Sequence, residues 1–211
     1  MEATAPTVFL VDDDRGIVRS LERVLVMAGH RVRTWTSAID FLRDHDPSVP
    51  GCLVTDLSMP DVTGMELLIS LHEVAPIRYV ILVSGRGDIP TSVKAMRAGA
   101  VSFLSKPVQS ADLLAAVAEA LEKDRTSRAF YEDQLEITTR LQSLTPRERE
   151  VLDLVAAGML NKQIAAQLGT AEKTVKVHRG RLMEKMKVRS AAALVSLLGR
   201  VPEFTGHEAH K

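Results

Sequence analysis

Short apolar or β-branched runs alternate with amphipathic segments over the first half of the chain. Four of these runs are largely continuous, whereas a fifth, at residues 30–35, alternates between polar and apolar positions. The continuous runs cover residues 7–11, 52–55, 79–83 and 101–104. A continuous apolar run is typical of a strand covered on both faces, so these runs favour a parallel sheet, and the alternating run predicts an edge strand.

Four segments between the predicted strands carry apolar residues at helical spacing. They span residues 17–28, 65–74, 89–98 and 111–121. Gly29 and Gly99 directly follow two of these segments and Pro76 follows a third, as expected at the ends of helices. Five strands that alternate with helices predict a doubly wound α/β domain built on a five-stranded parallel sheet.

Polar side chains follow the predicted strands at their carboxyl ends, where ligands bind in doubly wound sheets. Asp12 and Asp13 follow the first strand, Asp56 the third, Ser84 the fourth and Lys106 the fifth. Three carboxylates that converge in one cleft repel each other unless a cation lies among them, and oxygen ligands suit Mg2+. A lysine and a hydroxyl group would bind a phosphoryl group placed on one of the carboxylates.

Taken singly, an aspartate run is more often a solvated loop, but in combination these motifs resemble the receiver domain of two-component response regulators. The motifs are Val-Asp-Asp-Asp at 11–14, Asp-Leu-Ser-Met-Pro at 56–60 with Gly64, Ser-Gly-Arg-Gly-Asp at 84–88, and Ala-Gly-Ala-Val-Ser-Phe-Leu-Ser-Lys-Pro at 98–107. The resemblance covers about residues 7–122, and we assign residues 1–122 to this domain.

The resemblance implies that Asp56 accepts a phosphoryl group from a phosphohistidine of a partner sensor histidine kinase. It also implies that Asp12 and Asp13 hold Mg2+, together with Asp56 and the backbone carbonyl of Ser58. Phosphoryl transfer needs in-line positioning and neutralisation of charge, which a magnesium ion and one lysine supply.

A conformational switch is also implied by the resemblance. Lys106 would pair with the phosphoryl oxygens, next to a cis peptide bond before Pro107. Ser84 would donate a hydrogen bond to the phosphoryl group after its arrival, and Phe103 would change rotamer in step. The phosphoryl group adds a charge of about −1.5 to −2 and three strong acceptors, which can draw a hydroxyl group inward.

The formal charge of the chain is zero, with 27 basic and 27 acidic side chains, but the charges are unevenly distributed. Residues 1–124 carry a net charge of −5 and residues 143–211 carry +5. The opposite net charges of these two segments suggest two domains with different partners. They also suggest that the two halves attract each other in the resting chain, a contact that salt would weaken.

The composition indicates neither a membrane nor an oxidising compartment. No apolar stretch approaches the ~20 residues that span a bilayer. The first residues lack the basic and apolar regions of a signal peptide, and Cys52 has no second cysteine to pair with. We therefore expect a cytoplasmic protein that does not contact a membrane.

Residues 123–142 contain no glycine or proline and have few apolar positions. We predict a semi-rigid helical linker there, followed by a helical domain at 143–201 and a mobile tail at 202–211. Thr145, Pro146 and Glu148 predict a capping box at the start of the first helix of that domain. Further helices are predicted from residue 161, at about 172–186 and at 191–198, with a glycine-bearing turn between the second and third, as in a helix-turn-helix.

The helix at 172–186 has an apolar stripe on one side and basic side chains on its other faces, an arrangement that suits a DNA-reading helix or, equally, an ordinary solvated one. The segments Leu-Thr-Pro-Arg-Glu-Arg-Glu-Val-Leu at 144–152, Gly-Met-Leu-Asn-Lys-Gln-Ile-Ala at 158–165 and Lys-Thr-Val-Lys-Val-His-Arg at 173–179 resemble the LuxR-type DNA-binding domain. The match covers about residues 143–199. It implies that the following side chains contact double-stranded DNA: Lys173, Thr174, Val177 and Arg181 facing the groove, and Lys162 and Lys176 at phosphates.

Serine is common in the family where Ala171 stands here, so Thr170 would have to cap the helix instead.

Both halves together resemble the NarL/FixJ group of response regulators, and the loop at 85–90 leans towards FixJ-like members. The expected protein is a bacterial transcription regulator that becomes a homodimer on phosphorylation, through the face formed by 89–98 and 101–105. It would bind two DNA half-sites about one helical turn apart and act on RNA polymerase.

Two other hypotheses remain open from the residues. The chain would be a phosphatase or phosphotransferase if Asp56 acted as a nucleophile in turnover, although Ser58 stands where a second acid would be needed. Alternatively, DNA binding would be independent of phosphate.

Overall fold

Five parallel strands form a single sheet in the computed structural model, which describes residues 5–73, 77–85 and 89–201. The strands are β1 (Thr7–Val11), β2 (Arg31–Trp35), β3 (Gly51–Asp56), β4 (Tyr79–Ser84) and β5 (Ser102–Ser105), in the order β2-β1-β3-β4-β5. The prediction of a doubly wound parallel sheet is confirmed, and the alternating strand β2 lies at an edge of the sheet.

Helices cover both faces of this sheet. They are α1 (Arg15–Met27), α2 (Ala38–Asp44), α3 (Gly64–His72), α4 (Ile89–Arg97) and α5 (Ser110–Gln142). Val8 and Leu10 of β1 pack with α1 and α5 on one face, whereas Phe9 and Val11 pack with α2, α3 and α4 on the other. Each inner strand therefore needs apolar side chains at consecutive positions, which explains the continuous runs in the sequence.

Helix α2 was not among the predicted helices. The hydroxyl group of Ser37 caps its first turn, and its buried side chains are Ala38 and Phe41. The Phe41 ring packs edge-on against Phe9, with centroids 6.1 Å apart, and against Trp35 at 5.3 Å. Two buried positions in seven residues leave too short a periodic pattern to predict a helix, so its tertiary contacts with the aromatic rings stabilise it.

Helix α5 is longer than predicted and runs without interruption through the segment expected to be a linker. The chain divides into two compact units between Ala129 and Phe130, within this helix. The helix therefore ends in the second unit, where Ile137 and Leu141 are buried in the core. The segment 123–142 thus lies within one continuous helix, and the boundary between the two units falls inside it.

The second unit contains four further helices. They are α6 (Pro146–Ala156), α7 (Asn161–Gln167), α8 (Glu172–Lys185) and α9 (Ala191–Leu198). Thr145 caps α6, and the side chain of Glu148 accepts a hydrogen bond from the Thr145 backbone, so the predicted capping box is present. Gly169 has a φ of 61° in the turn between α7 and α8, a conformation that glycine adopts without strain.

A buried ion pair fastens α5 to the segment that precedes β3. Asp124 is 2% exposed, and its carboxylate accepts hydrogen bonds from the Gly51 backbone N–H (2.9 Å) and from Arg128 Nε (3.0 Å). The Arg128 guanidinium also donates to the backbone carbonyls of residues 47, 48 and 49. Because these carbonyls lie in an irregular segment, the arginine supplies the hydrogen bonds that a neighbouring strand would otherwise provide.

No helix among the described residues is both long enough and apolar enough to span a bilayer.

Replacing Arg128 by alanine should lower the free energy of unfolding of the first unit by about 2–3 kcal/mol, because it leaves the buried Asp124 carboxylate without its cation. Urea unfolding followed by the fluorescence of Trp35, the single tryptophan of the chain, reports on this unit. The matched control is Arg125→Ala, which removes an exposed ion pair with Glu122 on the same helix and should leave the free energy of unfolding nearly unchanged. Equal losses in the two variants would contradict the proposed role of the buried pair.

Candidate functional sites

One lysine joins two buried aspartates at the carboxyl edge of the sheet. Asp12 follows β1, Asp56 is the last residue of β3, and Lys106 follows β5. The Lys106 ammonium lies 2.6 Å from Asp56 Oδ1 and 2.7 Å from Asp12 Oδ2. Parallel strands end at the same edge, so three residues separated by up to 94 positions in the chain meet in one cluster.

Backbone N–H groups hold the other oxygens of the two buried carboxylates. Ser58 N donates to Asp56 Oδ2 (2.7 Å), and Asp14 N donates to Asp12 Oδ1 (2.9 Å). The Asp14 side chain instead caps α1, accepting from the backbone N–H groups of residues 16 and 17. Of the three consecutive aspartates, Asp12 is buried in the cluster, Asp14 is a helix cap and Asp13 is exposed.

Gly64 permits the close approach of α3 to the end of β3. A Cβ atom at this position would lie 2.3 Å from the backbone carbonyl oxygen of Asp56, closer than any side chain can be accommodated. The glycine therefore allows α3 to begin directly against the residue that carries the central carboxylate.

The cluster has more negative than positive charge. Burial raises the pKa of Asp12, and the neighbouring Asp56 carboxylate adds to this effect, although Lys106 opposes it. Burial alone would lower the pKa of Lys106, but its hydrogen bonds to Asp12 and Asp56 outweigh burial and leave the pKa above its usual value. One ammonium shared by two carboxylates thus does not fully compensate for the removal of Asp12 from water.

The residues at this edge fit a magnesium ion. Their side chains offer oxygen ligands and a surplus of negative charge, and within the described residues no hydrogen bond or ion pair engages the exposed carboxylate of Asp13. No three acidic, histidine or cysteine side chains in the described part of the chain converge as a complete metal site. Mg2+ usually keeps several water ligands and binds proteins through one or two carboxylates.

Ser84 and Phe103 lie on the two strands next to β3. Ser84 is buried at the end of β4, and its backbone carbonyl accepts a hydrogen bond from the Lys106 backbone N–H (2.8 Å). Phe103 is half-buried in β5 against the core that contains α4. The peptide bond between Lys106 and Pro107 is cis, as expected. The loop at 85–90 lies largely outside the described residues, since Arg86, Gly87 and Asp88 are not described.

A shallow depression of about 610 Å³ opens beside these carboxylates. Asp13, Ser58 and Met59 line one side, and Thr91 and Lys94 of α4 line the other. Leu57 and Ser58, the two residues that follow Asp56 in the chain, are among its lining residues.

In the second unit, helix α8 presents an exposed, basic face. Val175, Leu182 and Met186 are fully buried, as the apolar stripe predicted. The side chains expected to contact DNA are all exposed: Lys173, Thr174, Lys176, Val177 and Arg181 on α8, and Lys162 on α7. Within the described residues, none of the four basic side chains in this set forms an ion pair. Their charges are therefore available to an anionic partner.

Contacts that the sequence pattern did not predict hold α8 in place. The Lys185 ammonium lies 2.6 Å from the Glu148 carboxylate, which is buried in the capping box of α6, and it also donates to the Ser143 carbonyl (2.9 Å). Lys185 is the main reason that the pKa of Glu148 lies below its usual value. Arg179 donates to the Asn161 side chain (2.9 Å), so this arginine links α8 to the start of α7. The partners are 18 or more residues apart, and no local pattern connects them.

Ala171 is the N-cap residue of α8, and no side chain accepts a hydrogen bond there. Thr170 therefore does not replace the serine that is common at this position in the family that the segment resembles. The first turn of α8 keeps backbone N–H groups that a capping hydroxyl would bind.

Two known families match the chain. Residues 8–118 match the response regulator receiver domain, and residues 142–198 match the bacterial regulatory proteins of the luxR family. Together the two matched regions include both the aspartate–lysine cluster and helix α8.

Several known proteins are similar to the chain over nearly its whole length. Nodulation protein W of Bradyrhizobium diazoefficiens is 40% identical over 195 residues, which cover 92% of this chain and 86% of that protein. The transcriptional regulatory protein FixJ of Rhizobium meliloti is 41% identical over 191 residues, covering 90% and 94%. The solved structure of the response regulator StyR is 42% identical, covers 93% of this chain and 99% of that chain, and has a TM-score of 0.85.

Replacing Ala171 by serine should stabilise α8 by about 1 kcal/mol, because the hydroxyl group would accept a hydrogen bond from a free N–H of the first turn. Hydrogen exchange of the α8 amides in the full chain, followed by mass spectrometry, should slow by about fivefold. The control is Ala166→Ser, at an exposed position within α7, which offers no cap and should not slow exchange. Unchanged α8 exchange in Ala171→Ser would show that the cap position is already satisfied.

Proposed function

This chain belongs to the two-component response regulators of the NarL/FixJ type, with a receiver domain and a LuxR-type DNA-binding domain, and we propose that Asp56 is its phosphoryl acceptor. The observation that supports this assignment most directly is the ammonium of Lys106 held between Asp56 and Asp12. Asp56 is the carboxylate at the centre of the sheet edge, next to the depression through which a donor would approach.

In the proposed transfer, an oxygen of Asp56 attacks the phosphorus atom of a kinase phosphohistidine. The new P–O bond forms as the P–N bond breaks, and the imidazole leaves with the electron pair of that bond. The Ser58 N–H fixes Asp56 Oδ2, and Lys106 binds the other oxygen, so the carboxylate is oriented before the donor arrives. Mg2+, which Asp12, Asp13, Asp56 and the Ser58 carbonyl would hold, supplies positive charge to the phosphoryl oxygens.

After transfer, the phosphoryl group brings additional negative charge to a cluster that already has a surplus. We infer that Lys106 then pairs with a phosphoryl oxygen and that the Ser84 hydroxyl donates a second hydrogen bond. Phe103 would move into the space behind Ser84, because it lies half-buried on the adjacent strand. This movement would carry the local charge change to the surface formed by α4 and β5.

The phosphorylated chain would form a homodimer through this surface. Ile89, Val93 and Met96 are exposed on one side of α4, at positions separated by three or four residues, and they offer an apolar contact. Two DNA-binding domains would then bind half-sites about one helical turn apart in promoter DNA and act on RNA polymerase, in the cytoplasm.

Enzymatic turnover of a phosphorylated substrate is the weaker candidate function. Ser58 stands two positions after Asp56, where an acid would be needed to protonate a leaving group, and the Ser58 backbone already binds Asp56. At most, water would slowly release the phosphoryl group from Asp56 itself.

Treating the full chain with acetyl phosphate and Mg2+ should add the mass of one phosphoryl group, raise the dimer fraction and tighten DNA binding. Asp56→Asn should abolish all three responses, because its amide is a poor nucleophile. The matched control is Asp61→Asn in the loop that follows β3, where the exposed Asp61 has a φ of 65° that asparagine also tolerates, and it should respond like the unaltered chain. Equal responses in Asp56→Asn and the unaltered chain would refute the assignment.

Replacing Lys176 by alanine should weaken binding to all DNA sequences similarly, because a phosphate contact carries no base information. The dependence of log K on log salt should flatten by about one unit. Fluorescence anisotropy of labelled duplexes over a salt series measures both quantities, with Lys123→Ala in the first unit as the control. An unchanged salt slope would remove Lys176 from the set of phosphate contacts.

A further inference from the structure

Gly180 lies in the middle of α8, at the centre of its exposed face. It follows Lys173 by seven residues and Val177 by three, and it precedes Glu184 by four, so all four residues share one side of the helix. Lys173, Val177, Gly180 and Glu184 are all exposed, and Val177 retains 48% of its surface. The missing side chain leaves a notch between a basic residue on one side and an acidic residue on the other.

The helix itself gains nothing from this glycine. A glycine within a helix is about 1 kcal/mol less favourable than alanine. Apart from the two adjacent residues and the nearby backbone of α8 itself, no heavy atom of the described chain lies within 4 Å of the position that a Cβ atom would take at residue 180. At Gly64, by contrast, a Cβ atom would collide with backbone, and Gly169 has a positive φ. Neither reason applies at Gly180, so the reason for the glycine lies in what this face of the helix contacts.

We propose that Gly180 is a specificity-determining residue, at which the backbone of α8 approaches a base pair in the major groove closely enough to enclose a thymine methyl group. The proposal rests on the proposed role of α8 in DNA reading. The exposed residue three positions before Gly180 on this side of the helix is the apolar Val177, and the glycine itself presents no side-chain hydrogen-bonding group. The C5-methyl of thymine is the apolar group that base pairs expose in the major groove, so it is the group that this notch fits.

Adding a methyl group at residue 180 should raise the stability of α8 but lower its affinity for a specific DNA site. Gly180→Ala should make α8 more stable, because there is room for the new Cβ atom and alanine favours the helix. It should also weaken specific DNA binding, because the same Cβ atom would occupy the space of the thymine methyl. A residue that served only the fold would not separate these two effects.

The test uses the full chain with Mg2+ and beryllofluoride and a duplex that the unaltered chain selects from a randomised library. Gly180→Ala should bind this duplex about tenfold more weakly, while binding to an unrelated duplex is unchanged. Hydrogen exchange of the α8 amides should slow by about fivefold. Gly199→Ala is the matched control, since its Cβ atom would meet only ordinary contacts at the end of α9, and it should leave specific binding unchanged.

Replacing individual thymines of the selected duplex by uracil removes one methyl group at a time. One such replacement should weaken binding of the unaltered chain by about threefold or more, and it should have little effect on Gly180→Ala, whose notch is already filled. Unchanged specific binding in Gly180→Ala, faster α8 exchange, or additive losses from the alanine and every uracil would each overturn the proposal. If the unaltered chain selects no duplex, the DNA-reading function fails and this inference fails with it, whereas selection with an unaffected Gly180→Ala refutes the inference alone.

Discussion

The sharing of one ammonium between two buried carboxylates is the constraint on which the first unit depends. Lys106 contacts both Asp12 and Asp56, and these residues come from the ends of three different strands. The contact requires β1, β3 and β5 to end at the same edge in register, with Gly64 allowing α3 to start against β3. Because one positive charge faces two negative charges, the cluster keeps a surplus of negative charge, which a further cation would reduce.

In the second unit a buried carboxylate also binds a lysine, and this contact positions helix α8. Glu148 caps α6 and binds Lys185 near the end of α8, so the orientation of α8 is coupled to the start of the domain. Arg179, in the middle of the same helix, donates a hydrogen bond to Asn161 at the start of α7. Cations that fix α8 are thus distinct from the exposed cations, Lys173, Lys176 and Arg181, that remain available to DNA. This division lets a single helix be anchored firmly and still present an uncompensated positive face.

The sequence predicted the structure best where burial restricts a whole segment to one class of residue. Continuous apolar runs predicted the inner strands, because each such strand is buried on both faces, and polar residues after those runs predicted the cluster at the sheet edge. It was least informative where an element depends on distant partners. Helix α2 has two buried side chains that pack against aromatic rings of β1 and β2, and its own seven residues carry no clear period. The apolar positions around residue 137 were too sparse to predict that Ile137 and Leu141 belong to the core of the second unit.

By itself, the sequence determined the order of the five strands and of the helices other than α2, the change of charge between the halves, and the polar side chains that follow the strands, since these follow from side-chain chemistry and from spacing along the chain. Tertiary structure alone decided which of three consecutive aspartates is buried beside Lys106, which caps a helix and which stays exposed. It also decided which basic residues of α8 bind other residues of the second unit, and it left open space at Gly180 where a side chain would fit. The physical reason is that burial, charge pairing and close approach depend on atoms brought together from distant parts of the chain, and local patterns contain no information about those distances.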